Sequence, residues 1–499
     1  MKGGSKMQEK QTKLDNRAIS DPVKSSADWA ISATGPEKLP KGKLILFALG
    51  QFGWSLASFG VSNLLNYFYM SPEKADATRI FPSYIFEGRV LWIFPILGVI
   101  AFVARLFDGV TNPLIASWSD RSKSRLGRRR FYMALSCVPF ALFSVLVFMP
   151  PQSFASEPSL RASLGNTLWL TVMSLLFYFF FVMYNAPYNA LISELGHNPK
   201  ERLTISTVIS VTWALGFFTG YSVYAVQDVV ASLGMSQTAA FQTVEAAYAA
   251  FALILMLLPV LFIDERRYAA YGTSDEGTLK ALGSSLKNRQ FLRFLIAEFL
   301  YWIAQTVLQM SLVYFVVTIL GIDEGMTTLL MAAMFVLSFI FYLPVVWWTN
   351  KVGKKRVLNW GFALLTISFA IFALMGVLKI GSIAFAWIAV GFSALPNAIF
   401  GILPNAVVAD IAESDGIETG NFKAGMFFGV RTFETNLGIS VANILLPSLL
   451  TLGMTTHNPV GIRMTAIVSG IICAIGMVVF LSYDEKSVLS VLAKKEKME

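Results

Sequence analysis

Long apolar runs recur along the chain from about Leu44 to Tyr483, separated by short polar connections. Each run holds about 20 residues, which is enough for an α-helix to cross a hydrocarbon core roughly 30 Å thick. The pattern predicts an all-α membrane protein with twelve transmembrane helices. The first six are expected at about 43–70, 89–119, 131–151, 166–195, 204–227 and 243–263, and the second six at about 291–320, 326–349, 357–379, 382–412, 424–452 and 461–483.

Composition supports a bilayer environment. Of the 499 residues, 55% are hydrophobic and 14% are charged, whereas a soluble domain has about 25% charged residues. The two cysteines, Cys137 and Cys473, lie in apolar runs, and the chain has two histidines. The sequence contains no metal-ligand motif, no phosphate-binding glycine loop and no nucleophile beside a histidine and an acid. We therefore expect a protein that is not an enzyme.

Basic residues gather in alternate loops. The loop 120–130 contains six cations and the loop 351–356 contains four. Loops rich in Lys and Arg stay on the cytosolic side of a membrane, so both termini are expected in the cytosol. Topology thus accounts for the formal net charge of +9, and no nucleic-acid partner is expected. The compact loops favour a cell membrane, of the bacterial inner-membrane type.

The sequence divides into two related halves. The segment 189–194 (NALISE) is matched by 405–410 (NAVVAD), 216 residues later, and the basic segment 127–130 by 353–356. Such repetition is typical of transporters built from duplicated units. The predicted organisation is a cytosolic tail at 1–42, a six-helix bundle at 43–263, a cytosolic linker at 264–290 with an interfacial helix at 278–287, a second six-helix bundle at 291–483 and a cytosolic tail at 484–499.

Four stretches carry a resemblance to a known family. Span two contains RLFDGVTNP (105–113) before the basic loop 120–130, and span four contains YNAPYNAL (184–191) before Glu194. Spans ten and eleven supply Leu403, Pro404, Asp410, Thr419, Gly420, Gly425, Gly429, Phe433 and Gly438. Over about 43–483 the chain resembles the major facilitator superfamily, in its glycoside-pentoside-hexuronide:cation symporter branch. The resemblance implies two pseudo-symmetric six-helix bundles and alternating access to a central cavity.

The chain departs from this branch at several polar positions. Members that couple a sugar to Na⁺ or H⁺ carry two acids on span two, whereas this chain has Asp108 but Asn112. Asn185 replaces an acid that is common on span four, and Asn436 replaces a frequent lysine on span eleven. The segment 53–55 (GWS) lacks the acid of the sugar carriers. The resemblance therefore predicts the fold more directly than the substrate.

Span two contains the candidate site for cation coupling. Arg105, Asp108 and Asn112 lie three and four residues apart and share one helix face. The oxygens of Asp108, Thr111 and Asn112 are hard ligands that suit Na⁺, and a buried Asp108 can instead carry a proton. The alternative is a structural ion pair between Arg105 and Asp108, because a charge inside a membrane needs a partner or a task. Apart from co-transported Na⁺ or H⁺, no cofactor is expected.

Polar side chains at helical spacing mark the candidate substrate-binding surface. On span seven, Trp302 can stack on the apolar face of a sugar ring while Gln305 and Gln309 pair with hydroxyls. Amides also hold transmembrane helices together, so packing is the alternative. Arg431 and Glu434, three residues apart, fit either a structural pair or a substrate contact. The candidate substrate-binding residues are Asn185, Tyr188 and Asn189 on one face of span four, Glu298, Trp302, Gln305 and Gln309 on span seven, and Arg431, Glu434 and Asn436 on span eleven.

Two further features suggest gates. Pro187 in span four and Pro396 and Pro404 in span ten predict local helix breaks with a hinge role. The basic loop resembles the cytosolic latch of the superfamily, in which arginines contact helix ends and carboxylates; a plain topology signal is the alternative. The candidate gate residues are Asp120, Arg121, Arg128, Arg129, Glu194, Asp410 and Glu413.

These features favour a secondary active transporter that works by alternating access. The leading hypothesis is symport of a sugar, a glycoside or a related small polar metabolite with Na⁺ or H⁺. A carrier of an amphipathic, lysolipid-like molecule and a cation-independent facilitator are the alternatives, because acids are missing at Asn112 and Asn185. A receptor or scaffold that does not transport is disfavoured. The expected partners are a small solute and the lipid bilayer, and the expected state is a monomer.

Overall fold

The computed structural model describes residues 37–90, 94–122, 124–197, 199–269, 286–377, 381–420 and 424–496. Residues 1–36 of the predicted tail and residues 278–285 of the predicted interfacial helix lie outside the described residues. Within the described chain, twelve helices are long and apolar enough to cross a membrane. The all-α class and the number of spans are therefore confirmed.

The spanning helices follow one another along the chain, with a further helix near its C-terminus. In the first half they are α1 (Lys41–Tyr69), α2 (Ile96–Asp120), α3 (Arg128–Leu146), α4 (Leu164–Leu195), α5 (Pro199–Tyr221, continued by Val223–Ser232) and α6 (Gln237–Phe262). In the second half they are α7 (Arg289–Ile319), α8 (Gly325–Val352), α9 (Lys354–Ala373), α10 (Ser382–Thr419), α11 (Ala424–Leu450) and α12 (Val460–Leu481), followed by α13 (Glu485–Glu496).

Burial separates the central helices from those that face lipid. The apolar windows of α1 and α7 are 67% and 83% buried inside the protein, whereas that of α8 is 28% buried. On α8, Leu343 and Trp347 are largely exposed. Such side chains are stable against lipid tails, which are as apolar as leucine. The first span of each half therefore lies at the centre, where it can line a pathway between the halves.

The connection between α1 and α2 forms an ordered cap, contrary to the prediction that span two begins at about 89. α2 begins at Ile96. The rings of Phe81 and Tyr84 pack on Phe68 with centroid separations of 5.1 and 4.9 Å, and Arg79 Nη2 donates to Glu87 Oε2 at 3.0 Å. We call this end of the bundle the cap face, and the opposite end, which carries the loop 121–127, the basic-loop face.

The helices contain π-helical turns, but these do not lie at the prolines where the sequence predicted breaks. α4 continues through Pro187, and α10 continues through Pro396 and Pro404. The helices are therefore not interrupted at these prolines, and the hinge role predicted for them stays a prediction. The π-helical turns lie instead in the two central helices, at Gly60–Leu64 in α1 and Phe315–Ile319 in α7.

A glycine and a glutamate form the same clamp in each half. Glu265, just after α6, accepts hydrogen bonds from the backbone N–H groups of Arg129 and Arg130, in the first turn of α3, at 2.9 and 3.0 Å. Glu485, just after α12, accepts one from Lys354 N at 2.7 Å at the start of α9. Gly127 and Gly353 precede these helices with φ of +109° and +91°. A carboxylate at a helix N-terminus is stabilised by the helix dipole, so each clamp ties the sixth helix of its half to the third.

Candidate transport pathway and gates

Asp108 on α2 forms an ion pair with Arg105 of the same helix. Arg105 Nη1 donates to Asp108 Oδ2 at 3.2 Å, and Arg105 Nη2 donates to Ser62 Oγ at 3.3 Å. The guanidinium carbon lies 5.0 Å from the centre of the Tyr178 ring. The Thr111 hydroxyl donates to backbone carbonyls of its own helix. The charge on Asp108 is thus already balanced, as the structural-pair alternative expects.

The second buried ion pair joins α11 to α7. Arg431 Nε donates to both carboxylate oxygens of Glu298 at 2.9 Å, and Nη2 donates to Oε1 at 2.6 Å. Arg431 Nη1 donates to Asn405 Oδ1 on α10 at 2.5 Å. The Glu298 side chain is 2% exposed. The predicted structural pair between Arg431 and Glu434 is therefore wrong, since Arg431 binds a carboxylate 133 residues away in sequence.

Glu434 lies one helical turn after Arg431 and remains apart from that pair. It is 8% exposed, and among the described residues neither of its carboxylate oxygens has a hydrogen-bond partner. Close packing surrounds this part of α11. A Cβ on Gly438 would lie 3.0 Å from Trp302 Cβ, so α11 approaches α7 as closely as a glycine permits.

The amide residues of α7 are partly occupied by helix packing. Gln305 Nε2 lies 3.4 Å from Asn397 Oδ1 on α10, and Asn397 Nδ2 donates to Ser338 Oγ on α8 at 3.1 Å. This network joins three helices, as the packing alternative expects. Trp302 Nε1 is buried without a partner among the described residues. Gln309 on α7 is half-buried, as are Asn436 on α11 and Asn112 on α2.

The candidate residues on α4 do not share one environment. Asn189 Nδ2 donates to Asn185 Oδ1, and Asn189 is exposed. Tyr188 is fully buried, its ring is stacked on Phe47 with a centroid separation of 4.4 Å, and its hydroxyl donates to Phe47 O at 2.6 Å. The prediction that Tyr188 shares a substrate-facing surface with the two asparagines is therefore wrong, because this ring packs α4 against α1.

The gate candidates at the basic-loop face of the first half form one cluster. Glu194 Oε1 lies 2.7 Å from Arg128 Nη2 and 3.0 Å from Arg129 Nη2. Arg129, which is buried, also pairs with Asp120. Arg121 is exposed at the end of α2. These ion pairs hold the ends of α2, α3 and α4 together.

The second half repeats this arrangement. Asp410 on α10 pairs with Lys354 at the start of α9, at the position that matches Glu194 in the internal repeat. Of the carboxylates predicted to bind the loop arginines, Glu194 does so and Asp410 binds a lysine of its own half instead. Glu413 is exposed on α10. Each half therefore carries its own set of ion pairs at the basic-loop face.

Polar contacts join the two halves at the cap face. Lys74 Nζ of the cap lies 3.1 Å from Glu324 Oε2, and Glu324 is fully buried at the start of α8. Backbone carbonyls and amides of one half also bind side chains of the other. These contacts are Tyr314 Oη to Met70 O at 2.8 Å, Thr318 Oγ1 to Glu73 O at 2.9 Å, Gly325 N to Asp228 Oδ2 at 3.1 Å and Thr328 Oγ1 to Tyr221 O at 2.7 Å.

The described residues contain no group of three or more His, Cys, Asp or Glu side chains that could hold a metal ion. Two arginine–carboxylate pairs, Arg105–Asp108 and Arg431–Glu298, lie on α2, α7 and α11. Such charges are costly inside a membrane, by about 2.5–3.5 kcal/mol each on insertion scales. Their chemistry suits reversible binding of a polar solute or an ion.

Comparison with known proteins agrees with this architecture. The family model described as "MFS/sugar transport protein" matches residues 46–483. The isoprimeverose transporter of Lactiplantibacillus pentosus is 22% identical over 68% of this chain and 66% of its own length, just under two thirds. A sodium-dependent lysophosphatidylcholine symporter of Xenopus tropicalis is 20% identical over 91% of this chain and 89% of its own length.

The fold is shared with solved transporters. A crystal structure of a D-xylose-proton symporter matches with a TM-score of 0.62 and 14% identity, covering 89% of this chain and 98% of that chain. This agreement, together with the twelve spans, confirms the all-α, multi-pass membrane fold. The chain belongs to the MFS/sugar transport protein family, in accordance with its resemblance to the glycoside-pentoside-hexuronide:cation symporter branch.

Proposed function

We propose that the protein couples the movement of a sugar, a glycoside or a related polar metabolite to a cation gradient. The observation that carries the proposal is the presence of two buried arginine–carboxylate pairs, Arg105–Asp108 and Arg431–Glu298, on helices of both halves. α2 and α11, which carry the two arginines, pack against each other. Binding or release of a charge at one pair can therefore alter the contact between the halves.

The proposed cycle is alternating access between the two faces. Ion pairs and hydrogen bonds join the halves at the cap face, whereas Asn189 on α4 and Asn405 on α10 are exposed. This arrangement supports a state closed at the cap face and open at the basic-loop face. Because lysine-rich and arginine-rich loops stay in the cytosol, we assign the open side and both termini to the cytosol. We further propose that the protein lies in a bacterial inner membrane and acts as a monomer.

The proposed solute site lies beside Trp302 on α7. An indole ring stacks on the apolar face of a sugar, and half-buried amides such as Gln309 pair with hydroxyls. The named substrate of the isoprimeverose transporter is a sugar, which supports this class. The assignment of the co-transported ion to Asp108, Thr111 and Asn112 stays a prediction, since any ion there would compete with Arg105 for the carboxylate.

A lysolipid is the second candidate solute. Its support is the similarity to the sodium-dependent lysophosphatidylcholine symporter, which extends over 91% of this chain. Asn112, Asn185 and Asn436 also leave the candidate surface with fewer charges than sugar carriers of the branch. Facilitated diffusion without a cation is a third possible mode of transport, because Asn112 and Asn185 stand where acids are expected.

Uptake into proteoliposomes separates these functions. Labelled D-xylose, a xylose-containing disaccharide, melibiose and lysophosphatidylcholine would each be offered under an inward Na⁺ gradient, an inward H⁺ gradient and no gradient. We expect one sugar to accumulate above its external concentration under one gradient. Accumulation of lysophosphatidylcholine alone would favour the second candidate, and equilibration without dependence on gradients would indicate a facilitator. Absence of protein-dependent uptake or exchange of every solute would overturn the proposal.

A further inference from the structure

Glu434 is a buried acid that forms no hydrogen bond with any of the described residues. The neighbouring cation on the same helix, Arg431, already donates three hydrogen bonds to Glu298 and one to Asn405. A buried carboxylate without a partner is strongly disfavoured relative to its neutral form.

Among the described residues, the charges that act on Glu434 are those of Glu298 and Arg431. The carboxyl groups of Glu298 and Glu434 and the guanidinium of Arg431 form one cluster. Its net charge is zero only if one of the two carboxyl groups holds a proton. Glu298 binds the guanidinium, so the proton belongs on Glu434. On other helices packed against α11, Asp108 is paired with Arg105 and Asp410 with Lys354.

A proton fits this position better than a metal cation. A hard cation requires several oxygen ligands at close range, whereas neither oxygen of Glu434 has a polar partner among the described residues. A proton requires only the carboxyl oxygen itself.

We propose that Glu434 binds the proton that drives transport and that the hydrogen bonds of Arg431 to α7 and α10 depend on whether this proton is bound. This inference rests on the proposed function, for which it names the ion and its site. With Glu434 neutral, Arg431 is free to bind Glu298 and Asn405 and so joins α11 to α7 and α10. When the proton leaves to water, the Glu434 carboxylate is left on the helix face three residues from Arg431 and attracts its guanidinium.

The proton therefore controls a switch between helices. Transfer of Arg431 from Glu298 to Glu434 breaks its hydrogen bonds to α7 and α10, and the only covalent bond broken is the O–H bond of Glu434. α11 also packs on α2 in the opposite half. A change in its contacts can thus be passed to the interface that must rearrange during alternating access.

Infrared spectroscopy and transport together test the inference. Spectra of the full chain would be compared at neutral pH with those of Glu434→Gln, Glu434→Asp and Glu245→Gln, the last altering another buried glutamate in the first half. We expect the wild type minus Glu434→Gln spectrum to contain the C=O band of a protonated carboxylic acid. Glu434→Asp should retain such a band, and Glu245→Gln should leave the Glu434 band in place. A difference spectrum without the protonated band would overturn the inference.

The transport assay uses the solute identified in proteoliposomes. A gradient of about one pH unit can support up to about tenfold accumulation for one proton per solute. We expect Glu434→Gln to lose this accumulation and Glu245→Gln to keep it. Full proton-driven accumulation by Glu434→Gln would overturn the inference. If the wild type shows neither accumulation nor exchange of solute, the proposed function fails, while the infrared result still decides where the proton resides.

Discussion

Replacing Asp108 with asparagine removes the charge that balances Arg105, whose side chain is 9% exposed. Arg105 keeps its hydrogen bond to Ser62, but a buried cation has lost its anion, at a cost of about 3–5 kcal/mol. Unfolding entropy is about 2.1 cal/mol/K per residue, so a chain of 499 residues loses about 1 °C in Tm for each 1 kcal/mol. We therefore expect the Tm of Asp108→Asn to fall by about 3–5 °C.

The two buried cysteines provide the assay. Cys137 and Cys473 are fully buried, so a fluorogenic maleimide reports their exposure as the purified protein is heated. The double variant Arg105→Gln/Asp108→Asn contains no unbalanced charge and should recover most of the lost stability. A single variant with the Tm of the wild type would refute the reasoning. A double variant that regains both stability and cation-driven accumulation would show that Asp108 is structural and does not couple the ion.

Three further predictions concern parts of the molecule outside the two arginine–carboxylate pairs on α2, α7 and α11. Glu265→Ala should lower Tm in the same thermal assay, because two buried N–H groups at the start of α3 lose their acceptor, at a cost of about 1–3 kcal/mol. Lys74→Ala should favour opening at the cap face by roughly 5–150-fold, because Glu324 loses its cation; unchanged distances between spin labels across that face would contradict this. Burial raises the pKa of Glu87 above its ordinary value although Arg79 opposes the shift. The folded state thus binds the proton more tightly than the unfolded state. This group therefore contributes stability at low pH that is lost as pH rises from its unfolded pKa through its folded pKa. Glu87→Gln should reduce the fall in Tm measured over that pH range.

Hydropathy was sufficient to predict the spanning helices because a bilayer allows few other structures. Backbone polar groups in lipid must be satisfied internally, so each long apolar run became a helix close to the predicted bounds. The cap between α1 and α2 was not predicted, since its stability comes from aromatic contacts such as Phe68 with Tyr84 and Phe241, which are distant in sequence.

Spacing along one helix predicted local pairs but not partners on other helices. It identified Arg105 and Asp108 correctly as a pair, because both lie on α2. The same reasoning failed for Arg431, whose stronger partner is Glu298 on α7. It also placed Tyr188 with two asparagines, although the packing of α4 on α1 buries that ring.

The clamps have a consequence for how the chain can be assembled. Glu265 ends the first half and binds the start of α3, while Glu485 ends the second half and binds the start of α9. Neither clamp uses a residue of the other half. A gene divided between codons 269 and 286 would give two polypeptides, each with its own clamp intact. Co-expression of the two fragments should therefore reconstitute a carrier without a peptide bond between them, which makes this protein suitable for labelling one half at a time.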